Sequence, residues 1–360
     1  MSQFVPHRLR TLVGVVTQIA RVVVDVTGVD KPFDYLIPAE LSADVAVGSR
    51  VRVPLHRREV PGWVMAVLDE RGSNVDVAKL LPLAKVTSCG PSTEVVALIE
   101  WAVARYASRR RPFYVSASPQ RRVPRLLATR YVARERSGAD SWRNGSDLAS
   151  DVTALSKLLR HGRGGLVQCG PASNHAALLQ AVIAHGPTLV IVPTVARARR
   201  LAAECRRLGA STAVFPDDWV TAASGVDVVI GARSCVWASV PQLASIVVID
   251  EHDDTLQEER SPTWHARDIA IERAQRAHVP CLLVSAVATI SARHWAGDDN
   301  IVLHDAGRWP TVQIVDRSAD DRWASSLVTS ALIEVLRNHD KRVVCVLNVK
   351  GRARALACDS

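Results

Sequence analysis

No two cysteines in this chain are spaced as C-x-x-C. The seven present, Cys89, Cys169, Cys205, Cys235, Cys281, Cys345 and Cys358, are scattered and odd in number. That excludes a complete zinc site and a disulfide framework, and it suits a reduced protein of the cytoplasm. Long apolar runs are also missing. Nothing reaches the roughly 18 uncharged apolar residues of a membrane span, and the apolar stretch Thr11–Ala20 carries Gln18 and lacks a cleavage site. No membrane partner is expected. Acidic charge is in deficit: 36 Asp and Glu stand against 45 Lys and Arg, a formal charge of +9, which favours polyanionic partners.

The last absence is one lysine. A triphosphate site needs a strand, then G-x-x-x-x-G-K-[ST], then a helix, so that backbone N–H groups and an ammonium cradle the phosphates. The suitable turn is Gly164–Ala177. Counted from Gly170, the second glycine, the lysine and the hydroxyl residue fall at His175, Ala176 and Ala177. Gly170 alone cannot replace the lost charge or the Mg²⁺-binding hydroxyl, so ATP and Mg²⁺ are not expected as working cofactors.

What is present reads as an α/β chain of 360 residues, 48% hydrophobic and 22% charged, long enough for two or three domains. Residues 1–19 read as an N-terminal extension and residues 20–88 as a β-rich domain. Its strands are Arg21–Val26, Phe33–Ile37, Gly48–Leu55 and Gly62–Leu68, the last two pairing around a basic tip, His56-Arg57-Arg58-Glu59. Arg50 and Arg52 alternate with Val51 and Val53, so both guanidinium groups leave one sheet face, a surface suited to phosphates. The alternative for both features is an ordinary wet turn and wet face.

From Thr93 to Ala107 apolar residues recur at helical spacing, with Ser92 as cap. Arg109, Arg110 and Arg111 follow, then Phe113 and Tyr114, then Arg121, Arg122 and Arg125. This densest positive patch is expected to neutralise phosphates, with Phe113 or Tyr114 offering a stacking face to an unpaired base. Residues 128–150 read as a linker. Residues 151–335 then alternate helix and strand, which predicts a doubly wound parallel sheet.

Within that lobe, Ser245–Ile249 is a strand fit for burial on both faces. It runs into Asp250-Glu251-His252-Asp253-Asp254, where open parallel sheets place ligand sites. In a nucleotide hydrolase the first such carboxylate holds Mg²⁺ and the next orients water; the alternative is a solvated acidic turn.

Several stretches together resemble the PriA family of replication-restart helicases. They are Pro32-Phe33-Asp34-Tyr35-Leu36-Ile37-Pro38, Gly48–Leu55, Ile230-Gly231-Ala232-Arg233-Ser234-Cys235, Asp250–Asp254, Thr263–Asp268 and Leu347–Cys358, in the family's order. The resemblance implies a β-rich 3′-end DNA-binding domain over 20–88, a winged-helix-like domain over 89–127, and a RecA-like helicase lobe over 151–335. Residues 336–360 would begin a second lobe and zinc module. It also implies a terminal-nucleotide pocket of Phe33, Asp34, Tyr35 and Lys79, with Asp34 accepting from the 3′-hydroxyl and Lys79 facing its phosphate. Implied partners are forked DNA, 3′ ends and single-strand/duplex junctions, and with them primosome proteins, single-stranded DNA-binding protein and a replicative helicase.

The departures weigh as much. The phosphate loop is degenerate, the family's third and fourth motif-II residues Glu and His are His252 and Asp253, and G-S-A-T-P is Val284-Ser285-Ala286-Val287-Ala288. Asp250 and Glu251 are therefore expected to be relics without metal. Cys358 is the only ligand of the family's zinc module before Ser360, and a structural zinc needs four. The expectation is a DNA-binding restart protein whose helicase lobe is scaffold. Its rivals are an active ATPase with an unorthodox loop and a nonfunctional remnant.

Overall fold

The computed structural model describes residues 18–126, 146–160, 162–170, 175–303, 311–315, 329–338, 340 and 342–345. The chain divides into two compact units between Gly307 and Arg308. In the second, the described residues carry one helix, Ser330–Arg337.

The first unit opens with five strands: β1 (Ile19–Val24), β2 (Phe33–Leu36), β3 (Arg50–Leu55), β4 (Arg58–Leu68) and β5 (Lys85–Ser88). They pair antiparallel in the order β2-β1-β4-β3-β5. Alternation does the sorting: Val51 and Val53 are fully buried while Arg50 and Arg52 point the other way, as a two-residue period requires. β4 starts at Arg58, earlier than the sequence suggests, because Leu55 and Arg58 already face each other across a two-residue turn. His56 and Arg57 in that turn both have positive φ, 48° and 63°. Such a turn matches the twist of a hairpin but usually takes Asn-Gly; here it holds two side chains that disfavour it.

Helices α1 (Thr93–Arg105) and α2 (Arg111–Ala117) follow, α1 capped by the Ser92 hydroxyl. Described residues 89–126, the span of the winged-helix-like expectation, contain these two helices and no strand. Phe113 and Tyr114 correct another expectation. They are 1% and 0% exposed, packed against Trp237, Trp264 and Trp63, and offer no face to a base. Their helix turns its apolar side toward the lobe, where each aromatic pair adds about 0.5–1.5 kcal/mol beyond burial.

The lobe begins with α3 (Ser146–Arg160), which extends into the segment expected to be linker, and β6 (Gly164–Gln168). Then come α4 (Ala176–His185), β7 (Thr188–Ile191), α5 (Val195–Arg207), β8 (Thr212–Phe215), α6 (Trp219–Ala223), β9 (Val228–Gly231) and β10 (Ser245–Ile249). A short pair, β11 (Gln257–Glu258) and β12 (Trp264–His265), leads into α7 (Ala266–Ala277), β13 (Cys281–Ser285), α8 (Ile290–Ala296) and β14 (Asn300–Val302). Seven strands form one parallel sheet, β14-β6-β13-β10-β7-β9-β8. This is the doubly wound parallel lobe expected beside the antiparallel sheet. β10 sits at its centre, buried along its whole length. Gly164 opens β6 at φ 82° with Cys281 O where a side chain would stand, so β6 can approach β13 only through glycine.

The antiparallel sheet with α1 and α2, together the head, shares one core with the lobe. The apolar cluster containing Trp63, Val95, Phe113 and Tyr114 continues into Trp219, Trp237 and Trp264. Arg273 of α7, 0% exposed, donates to both carboxylate oxygens of Glu94 on α1 at 2.9 Å and to the carbonyls of Val236 and Ala238. Trp219 Nε1 donates to Ala117 O, and Ser92 N to Ser239 Oγ.

Candidate nucleic-acid interface

β2 and the β3–β4 hairpin wall a cleft of ≈ 670 Å³. Phe33, Asp34, Tyr35 and Lys79, named from separate stretches of sequence, all line it. Three basic side chains absent from that expectation, Arg21, Lys31 and His56, line it as well. His56 comes from the strained tip of the β3–β4 hairpin.

The four residues differ in availability. Tyr35 is 4% exposed and its hydroxyl donates to Pro54 O at 3.1 Å, so it serves as wall; burial pushes its phenol up. Phe33 is half-buried at the mouth, and Lys79 is exposed at the end of a short 3₁₀ turn. Asp34 is held hard. Arg21 Nε donates to Oδ1 at 2.8 Å, Arg21 Nη2 to Oδ2 at 2.9 Å, and Ser73 Oγ to Oδ2 at 2.9 Å. The Arg21 hydrogen bond is the main force keeping the Asp34 carboxyl below its usual range, while burial opposes it. A carboxylate offers about four acceptor positions. Three are used, and the one left, on Oδ1, belongs to a fixed anion. Arg21 and Asp34 are Cα partners across β1 and β2, a pairing legible only once the register is known.

The other predicted arginines scatter. Arg57 and Arg58 are exposed at the hairpin tip. Arg50 lies over the Trp63 ring, 5.6 Å from its centroid. Arg52 and Arg122 meet at a second cleft, with Arg52 Nη1 donating to Glu59 O and Arg122 Nε to Thr87 O. Arg109 and Arg121 are exposed. Arg110 pairs with Glu100 at 2.9 Å and Asp30 at 3.2 Å, and Arg111 with Asp25 at 2.6 Å. These two charges are met within the fold; Asp30 and Asp25 lie too far away in sequence for a local reading to find, whereas Glu100 is ten residues from Arg110.

At the carboxyl end of β10 the acids are also met. Asp250, at φ 53°, pairs with Arg197 of α5 at 2.6 Å. Glu251 is 0% exposed; Arg267 Nη1, Thr289 N and Thr289 Oγ all donate to it. Ser285 gives its hydroxyl hydrogen to Val287 O, so His252 Nδ1, 2.7 Å away, is the donor to Ser285 Oγ. Gly170 is buried just after β6. Among the described residues no group of three or more His, Cys, Asp and Glu could hold a metal, and no helix is long and apolar enough to cross a membrane. Cys358 lies outside the described residues.

Comparison with known proteins bears on both regions. The family described as the 3′ DNA-binding domain (3′BD) of PriA matches residues 21–119. The "Probable replication restart protein PriA" of Mycobacterium tuberculosis is 33% identical over 300 residues, covering 75% of this chain and 45% of that protein. The "Replication restart protein PriA" of Rickettsia conorii is 23% identical over 353 residues, covering 91% and 53%. The chain thus spans about half the length of the curated relatives it matches. Among solved structures, the DUF1998 helicase MrfA bound to DNA and AMPPNP overlays at a TM-score of 0.32 with 14% identity, over 44% of this chain and 27% of that one.

Proposed function

Since the chain belongs to the PriA family of replication restart proteins, we propose that it binds DNA ends and forks through its head, and that its helicase lobe is scaffold rather than motor. The observation that carries this reading is the convergence of Phe33, Asp34 and Lys79 on one cleft of the β domain. Phe33 supplies an apolar face to the terminal nucleotide, Lys79 meets a phosphate, and the open position on Asp34 Oδ1 accepts from a 3′-hydroxyl. A fixed carboxylate rejects a second anion, so the site selects a hydroxyl over a phosphate at the 3′ end. At abandoned forks such a protein would mark the nascent 3′ end for reloading of a replicative helicase. Primosome proteins and single-stranded DNA-binding protein would be its companions in the cytoplasm.

Two features of the lobe support the scaffold reading. The loop lacks its lysine, and a guanidinium bonds to the carboxylate that would hold Mg²⁺. The residues present do not fit a Mg²⁺-triphosphate, so no ATP-driven step is assigned to them.

The test compares fluorescent DNA ending in a 3′-hydroxyl with the same DNA ending in a 3′-phosphate. Tighter binding of the hydroxyl form, about tenfold for one charge-assisted hydrogen bond, should vanish in Asp34→Ala. Equal affinities in both proteins would remove the terminus from the reading. Calorimetric titration with Mg²⁺-ATP should show no saturable binding; binding that disappears in Asp250→Ala would restore a nucleotide-driven motor.

A further inference from the structure

Three cations from separate segments meet at the second cleft of the head. Arg52 lies on β3, Lys85 is its Cα partner on β5, and Arg122 follows α2. The cleft measures ≈ 330 Å³, and its other walls are Glu59, Val86 and Thr87. Arg21, Arg110 and Arg111 of the same head each have a carboxylate partner. Among the described residues Arg52, Lys85 and Arg122 have none, and Glu59, although it lines the cleft, forms no ion pair. Three positive charges against one negative leave the cleft two units positive. Like charges gathered in a concave wall repel one another and focus an attractive potential on an anion.

The guanidinium groups are also aimed. Arg122 is tethered by its Nε to Thr87 O at 2.7 Å, and Arg52 by one Nη1 to Glu59 O at 3.3 Å. Each tether fixes a planar fork and leaves further N–H groups for a ligand, the arrangement that suits phosphate oxygens. Lys85 adds an exposed point charge at the rim. Pro54, which lines the first cleft, lies two residues beyond Arg52 on the same strand. Along a strand that is about 7 Å, and residues two apart share a face. Both clefts are thus walled by β3, so a DNA strand ending in the first can continue along β3 toward the second.

We propose that Arg52, Lys85 and Arg122 form a second subsite, which grips a backbone phosphodiester a short way upstream of the 3′ terminus. This rests on the 3′-end reading for its register but not for its chemistry. The subsite holds the strand through its phosphate, by charge and hydrogen bonds, and is indifferent to base and to terminal group.

The experiment uses the full chain and a fluorescent single strand with either 3′ end, titrated across a salt series. Lys85→Gln should weaken both strands and lower the slope of log K against log salt by about 0.7, one contact on single-stranded DNA. Glu59→Gln should tighten both. Neither should change the preference for the 3′-hydroxyl. A single uncharged methylphosphonate stepped along the strand should weaken wild type at one or two positions near the 3′ end, and have no effect there in Lys85→Gln/Arg122→Gln. Unchanged affinity and slope in Lys85→Gln, or shifts of the same sign in both single variants, would overturn the proposal. If wild type does not distinguish the two ends but the salt and charge responses are as stated, the terminus reading falls and the phosphodiester subsite stands.

Discussion

In the head, Arg57, Arg58, Lys85 and Arg121 are exposed, and among the described residues none meets a carboxylate; at the end of β10 in the lobe, Asp250 and Glu251 are each closed by an arginine. The two regions use charge differently. A charge whose partner is inside the protein is part of the architecture, and its removal is read in stability. A charge with no internal partner contributes little to folding and is open to a ligand. Asp250 and Glu251 both have architectural partners, so the presence of Asp-Glu in sequence says little about whether a metal can reach them.

The strongest way to break this contrast is Glu251→Ala. It would take from Arg267, itself mostly buried, the fully buried one of its two carboxylate partners, leaving only the more exposed Asp268, and would orphan Thr289 N. A loss of about 3–5 kcal/mol in urea unfolding is expected, and a loss under about 1 kcal/mol would mean that the acid is not structural. Acid titration sharpens the contrast inside the head, where Asp34 is both paired and functional. Its carboxyl lies below its ordinary value when folded, so the stabilisation is complete above that ordinary value and fades as pH falls through the depressed one. The stability gap between wild type and Asp34→Asn should be constant from neutrality to about pH 5 and close below about pH 4. The smallest effect is expected at the tip: Arg57→Ala should alter stability by no more than about 0.5 kcal/mol, while flattening the salt dependence of DNA binding.

Local pattern made much of this fold legible. The valine alternation around Arg50 and Arg52 placed β3, and the helix–strand alternation after residue 150 gave the parallel sheet, because each rests on residues adjacent in sequence. The misreadings share one cause. Phe113 and Tyr114 look like exposed aromatics beside an arginine run, yet Phe113 covers Trp237 and Trp264, more than a hundred residues later, and Tyr114 covers Trp63, on a strand well before it. Arg111 looks free because Asp25 is 86 residues away, and of the two partners of Arg110 only Glu100 is near in sequence, Asp30 being 80 residues away. The first cleft was legible only through family likeness, which named Phe33, Asp34, Tyr35 and Lys79. Arg21 and Ser73, which orient Asp34, needed the register of β1 against β2 and the loop after β4.

The Arg273–Glu94 clamp and the tryptophans beside it limit how this protein can be dissected. A recombinant fragment stopping after residue 126 would uncover Phe113 and leave Glu94 without its guanidinium; the complementary fragment would present Trp237 and Trp264 to water and strand a fully buried arginine. Both pieces would tend to clump. Recombination that exchanged heads between relatives would succeed only if α7 travelled with them, so the boundary that evolution can cut is not the one where sheet type changes.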